Sequence, residues 1–176
     1  MNHDLETLRD ELERSLGGLD ERQTQLHPGG DVARWNIQRI AGHLLLTYAA
    51  TEAALEARIA KGTPTKADPT VAQRFGQFTI LRAGYFPAGR KAPERVTAPA
   101  DAPAVPGGVL IAQVHRSLDT LDRRIAEAEG VFGPELRAVS HMVLGPLSTR
   151  QWRRFHLIHG RHHIKQIAAI RAEYGL

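Results

Sequence analysis

The chain has 176 residues, 42% of them apolar and 24% charged, with 23 lysines and arginines against 19 aspartates and glutamates, a formal charge of +4, and no cysteine. Those totals suit one folded domain over residues 1–176 and exclude disulfides, thiolate metal ligands and a cysteine nucleophile. No run approaches the roughly 18–20 consecutive apolar residues of a membrane-spanning helix, and the start MNHDLETLRDELERSL is charged throughout, unlike a signal peptide, so a cytoplasmic location is expected.

Leu5, Leu8, Leu12 and Leu16 step by three and four, which predicts a first helix over about residues 4–16, ended by Gly17-Gly18. A turn-rich segment, LHPGGDVARW, follows. Asn36 then stands as an N-cap, with Trp35 and Ile40 spaced as a hydrophobic staple, and a second helix is expected from about 37 to 60. Between 61 and 108 seven prolines (Pro64, Pro69, Pro87, Pro93, Pro99, Pro103 and Pro106) rule out a long helix, leaving a crossover with one short helix near 70–83 and extended loop from Phe86 to Gly108. A third helix is expected over about 109–128, with Leu110, Val114, Leu118, Leu121, Ile125 and Ala128 on one face and Gly130 closing it. Ser148 and Gln151 make a capping box for a fourth helix over about 149–173, with Leu147 and Trp152 as its staple. No β-type alternation has comparable strength. The expectation is an all-α protein of four main helices, with the long connection between helices two and three allowing those two to lie parallel.

The segment HLIHGRHH packs His156, His159, His162 and His163 into eight positions of the fourth helix. At about 100° per residue, Trp152, His156, His159, His163, Gln166 and Ile170 share one strip, while His162 falls to its flank. Apolar residues at both ends of the strip turn it inward. Buried imidazoles left without partners cost on the order of 1–3 kcal/mol each, so a row of three calls for hydrogen bonds or a metal. His159 and His163 are four apart, a rise of about 6 Å that lets two rings converge on one ion. Gly160 costs about 1 kcal/mol of helix propensity unless its bare backbone admits a neighbour or a ligand. His43, on the face of helix two that carries Ile40, Thr47 and Ala50, fits as a third ligand. A single histidine on an apolar face is also an ordinary core residue, and spacing leaves both readings open. Arg150, Arg153, Arg154, Arg161 and Lys165 form the chain's local basic cluster around these histidines.

Trp35-Asn36 followed by His43-Leu44, then GPLSTRQWRRFHLIHGRHHIKQI at 145–167, together with FPAGRKAP at 86–93, resembles the DinB-like (YfiT-like) superfamily of metal-binding helical bundles. The branch it most resembles is described as a domain of unknown function. The resemblance spans nearly the whole chain and is most specific at His159, His163 and Gln166. It implies an up-down-down-up four-helix bundle that often pairs as a homodimer. It also implies a divalent metal ion, zinc or nickel, on His43, His159 and His163, and chemistry that uses low-molecular-weight thiols.

The expected function is therefore metal-dependent transfer or hydrolysis on a small molecule, with any thiol arriving as a cosubstrate. His156 and Gln166 stand behind the ligands, His156 either as a proton carrier or as a core histidine capped by a backbone carbonyl, Gln166 either orienting a ligand ring or solvated. Glu52 and Glu56 are expected on solvated faces. Tyr48 and His141 are pocket candidates better read as packing and loop-anchoring groups. Arg90 and Lys91 either cover the mouth of the site toward an anionic substrate group or are solvated loop charges. Two further readings stand beside this one: a purely structural metal, and a basic nucleic-acid-binding helix, which the inward turn of the histidines disfavours.

Overall fold

The computed structural model describes residues 1–87 and 91–176. The protein is mostly helical, with six α-helices and one small antiparallel sheet among the described residues: α1 (His3–Leu16), α2 (Glu21–Thr24), α3 (Ile37–Ala60), α4 (Val71–Gln77), α5 (Gly107–Phe132), β1 (Arg137–His141), β2 (Gly145–Ser148) and α6 (Thr149–Glu173). No helix among the described residues is long and apolar enough to cross a membrane.

The four long helices start and face as their residues dictate. Asn36 caps α3 by accepting from the Arg39 amide at 2.7 Å, and Ser148 and Gln151 cap α6 reciprocally, at 3.3 and 2.9 Å. The leucine stripe of α1 is wholly buried. It packs on α5 and α6, while α3 also packs on both, so one core gathers Leu8, Leu12, Leu44, Leu55, Leu118, Leu121, Ile125 and Ile167. α1 and α6 approach closely because Gly160 has no side chain: a Cβ there would lie 2.2 Å from Leu8 Cδ1. The neighbour admitted by that bare backbone is thus a leucine of α1. Gly160→Ala is expected to destabilise the protein by about 1–3 kcal/mol through overpacking, although alanine gains about 1 kcal/mol of helix propensity. Thermal denaturation checks it, and an unchanged or raised midpoint would show that Leu8 yields freely.

Three departures from the sequence expectations have physical causes. α5 begins at Gly107 and runs past Gly130 to Phe132, where Gly133 at φ 83° ends it; burial of Phe132 outweighs the modest helix cost of Gly130. A single turn, α2, is held by an Asp20–Gln23 capping box. The third departure is a β-hairpin in a chain expected to be all-α. β1 and β2 pair from Arg137↔Ser148 to His141↔Gly145 with an irregularity between Arg137 and Val139. Strands of five and four residues, one irregular and the other buried at every position, leave no period-two signature to read.

The crossover lies along α3 and is tied to it by side chains of that helix. Gln38 donates to the Pro103 carbonyl at 2.8 Å and accepts from the Val105 amide at 2.9 Å, and Arg39 donates to the Ala98 carbonyl at 3.3 Å. Gly42 makes room for it, since a Cβ there would lie 2.8 Å from the Ala98 Cβ. The short helix expected near 70–83 is present as α4 continued by a π-helical turn, Phe78–Arg82. Among its described residues, the loop expected from Phe86 onward contains a 3₁₀ turn, Glu94–Val96, which delivers the Val96 carbonyl to α3.

Candidate metal centre

α3 and α6 bring His43, His159 and His163 together, each 5–6% exposed. Their Nε2 atoms converge: His159 Nε2 lies 3.2 Å from His43 Nε2 and 3.1 Å from His163 Nε2. All three possible ligand atoms lie within 4.8 Å of one another.

The protons are the informative part. His43 Nδ1 sits 2.7 Å from the Val96 carbonyl, an acceptor only, so that nitrogen carries the hydrogen and Nε2 is left as a bare lone pair. His163 Nδ1 faces Gln166 Oε1 at 2.8 Å, and the amide nitrogen of the same glutamine faces His162 Nε2 at 3.3 Å. His163 Nε2 is therefore a bare lone pair as well. A proton on His159 Nε2 satisfies one of these two acceptors and leaves the other aimed at it without a hydrogen. Two nitrogens each about 2.0–2.1 Å from one zinc ion stand roughly 2.9–3.4 Å apart, which matches the spacings found. A cation among the three nitrogens removes the conflict, and the donor set fits it.

Burial keeps these rings neutral. It lowers the pKa of His43 and takes that of His159 well below its ordinary value, with repulsion from His163 and His43 adding to the effect. His163 is lowered to about 3, by burial first and then by His43. Neutral imidazoles at pH 7 offer lone pairs to an ion without a competing proton.

The walls are aromatic. Trp35 lies against His43 with ring centroids 5.1 Å apart, Phe155 stacks on His159 at 5.3 Å, and Phe86 covers His159 and His162 at 5.1 and 5.0 Å. Phe86 belongs to the FPAGRKAP segment, so part of that stretch does lie over the histidines. Arg90 lies outside the described residues, and Lys91 is exposed.

The remaining expected residues are placed as follows. Gln166 orients His163 while itself largely exposed. His156 is fully buried, its pKa lowered to about 3 by burial and then by His141. Neither of its nitrogens has a hydrogen-bond partner among the described residues, so the backbone-carbonyl cap considered for it is absent. Tyr48 is also fully buried, its ring meeting that of His156 edge-on at 5.4 Å. His141 anchors the hairpin loop: Nδ1 accepts from the Val143 and Leu144 amides at 3.1 Å. Glu56 pairs with Arg124 at 3.7 Å. Glu52 is half-buried, and burial raises its pKa, opposed by Arg124 and Arg123. Neither carboxylate joins the histidine cluster.

The basic cluster is largely spent on the protein's own acids. Arg150 pairs with Glu135, Arg153 with Glu129 and Asp122, Arg154 with Asp4, and Arg161 with Glu11. Only Lys165 of that cluster stands exposed without such a pair among the described residues.

Sequence reasoning missed the Val96 carbonyl and the Phe86 cover. A backbone carbonyl carries no residue-type signal, and Phe86 reads as one loop aromatic among prolines until the crossover is folded onto α6.

Fold and site together define a helical protein with a buried three-histidine cluster fit for a divalent ion. Comparison with protein-family models, with curated proteins and with solved structures finds no match.

Proposed function

We propose that the chain is a divalent-metal-binding protein of the DinB-like kind, a four-helix bundle in which α1, α3, α5 and α6 run up-down-down-up and zinc or nickel sits on His43, His159 and His163. The mutual packing of those four helices and the long α3–α5 connection support the bundle. One observation carries the metal reading: three Nε2 atoms converge while the Nδ1 atoms of two of the rings are already committed to acceptors. An all-imidazole donor set suits zinc and nickel.

The reaction we propose is thiol-dependent transfer or hydrolysis on a small molecule. A divalent ion held by three neutral ligands polarises a carbonyl, lowers the pKa of water toward about 7 or takes up a thiol as thiolate. The chain's own residues do the rest. Val96 and Gln166 fix the tautomers of His43 and His163, and Trp35, Phe86 and Phe155 keep bulk water off the rings. With no cysteine in the sequence, the thiol is a cosubstrate.

A structural role for the ion is the second reading, favoured by the near-complete burial of all three ligands. The nucleic-acid reading loses support because Arg150, Arg153, Arg154 and Arg161 of α6 already face carboxylates.

Titrating metal-stripped protein with zinc is expected to end at one ion per chain. Free zinc at 100 times Kd stabilises the fold by about 2.7 kcal/mol, which is roughly 5–10 °C in the thermal midpoint for a domain of this size. No shift and no uptake would overturn the metal reading. In cobalt-substituted protein, a visible spectrum that changes on adding a small thiol supports access by substrate; a spectrum indifferent to every thiol tried favours the structural role.

A further inference from the structure

Four polar atoms in the interior between α3 and α6 have no protein partner among the described residues: Tyr48 Oη, both ring nitrogens of His156, and Nδ1 of His159. Their side chains are essentially sealed from solvent. The Tyr48 and His156 rings are in edge contact at 5.4 Å, and His156 stands one turn before His159 among the buried residues of α6.

His159 differs from its two companions. His43 gives its Nδ1 proton to the Val96 carbonyl and His163 gives its own to Gln166. If His159 presents its Nε2 lone pair to the same ion, its single proton sits on Nδ1, which has no acceptor among the described residues. A metal-ligating imidazole usually donates its other N–H to a partner that steadies the ring and raises its basicity. Buried groups of this kind are commonly satisfied by internal water, which needs two to four polar partners and a space of its own size. A phenol oxygen, a neutral imidazole with one donor and one acceptor, and the His159 N–H supply that number.

We propose that Tyr48 and His156 hold a buried water against Nδ1 of His159, and that through it they act as positioning residues for the metal ligand. This rests on the metal reading above. The water accepts from His159 Nδ1–H and is itself fixed by the Tyr48 hydroxyl and a His156 nitrogen, so His159 gains indirectly the partner that Val96 and Gln166 give the other two rings. It also gives a reason for two polar side chains in the middle of an apolar core, where leucine and phenylalanine would pack without unsatisfied atoms.

The test compares wild type with His156→Leu, His156→Gln and Tyr48→Phe, measuring zinc affinity by competition with a chelating dye. The His159 Nδ1 proton is followed by ¹H–¹⁵N NMR of the zinc-loaded protein, and the thermal midpoint is taken on the metal-free protein. His156→Leu is expected to weaken zinc binding about 10- to 100-fold, Tyr48→Phe to weaken it less, and His156→Gln to recover part of the loss. In the first two the His159 proton signal moves or broadens, while the metal-free midpoint holds or rises. Tyr48→Phe removes one oxygen atom and serves if His156→Leu fails to fold. Wild-type affinity and an unmoved signal in the variants overturn the proposal, as does an affinity loss that only follows a lowered metal-free midpoint. A wild type that takes up no zinc brings down the metal reading and this inference with it; variants that load as well as a loading wild type bring down this inference alone.

Discussion

His159→Ala protein is expected to purify without stoichiometric zinc or nickel, with affinity reduced by at least about 10²–10³-fold. His159 is the residue to remove because its Nε2 is the one within about 3 Å of both other ligand nitrogens. Four-ligand structural zinc sites bind with about 10–16 kcal/mol, so one ligand of this cluster accounts for roughly 3 kcal/mol, and the two that remain face an ion across a gap. His162→Ala is the matched control: it deletes a neighbouring imidazole that lies off the inward strip and meets His163 edge-on at 5.1 Å, with Gln166 and Phe86 beside it, but whose nitrogens do not join the three converging ones. It is expected to keep its metal. Elemental analysis of both variants purified side by side decides the matter, and a full complement of metal in His159→Ala would remove His159 from the ligand set.

That prediction was available from the sequence to the extent that side-chain type and helical period carry information. The strip running from Trp152 to Ile170 was legible because 100° per residue is a property of every α-helix, and the buried positions of His156, His159 and His163 follow from it. The starts of α3 and α6 were legible because Asn36, Ser148 and Gln151 satisfy exposed amides in the only way the backbone allows. The partners of the rings were another matter. Val96 reaches His43 through a carbonyl every residue possesses, from a crossover whose course along α3 is set by Gln38, Arg39 and the space at Gly42. Residues 53 apart in the chain meet there, and no local pattern announces it. The hairpin was hidden for the same reason: its pairing is confirmed only by contacts such as the Trp152 indole donating to the Val139 carbonyl at 3.2 Å.

Buried histidines in and beside the candidate centre make the metal-free protein sensitive to acid. In the folded chain burial lowers His156 and His163 to about 3 and His141 to about 4, with His141, His43 and Arg95 respectively adding repulsion. In the unfolded chain each titrates near its ordinary value of about 6.5. Between those limits the unfolded state binds protons that the folded state refuses, so stability falls as pH falls, starting near 6.5 and levelling only below the folded values. Each such histidine contributes a slope of about 1.4 kcal/mol per pH unit. Three together remove about 6 kcal/mol by pH 5, comparable with the 5–15 kcal/mol that stabilises a typical domain. Urea midpoints of metal-free protein measured from pH 7.5 to 5 are therefore expected to drop steeply below pH 6.5 and to be flat above it. His156→Leu should be shallower by one histidine's share. A saturating metal binds the folded state alone and adds a nearly constant increment over this window, because the folded rings are already free of protons, so zinc-loaded protein should keep a higher midpoint at each pH with a similar slope. If wild type and His156→Leu lose stability in parallel, the acid response lies in other groups and His156 is not held neutral by its burial.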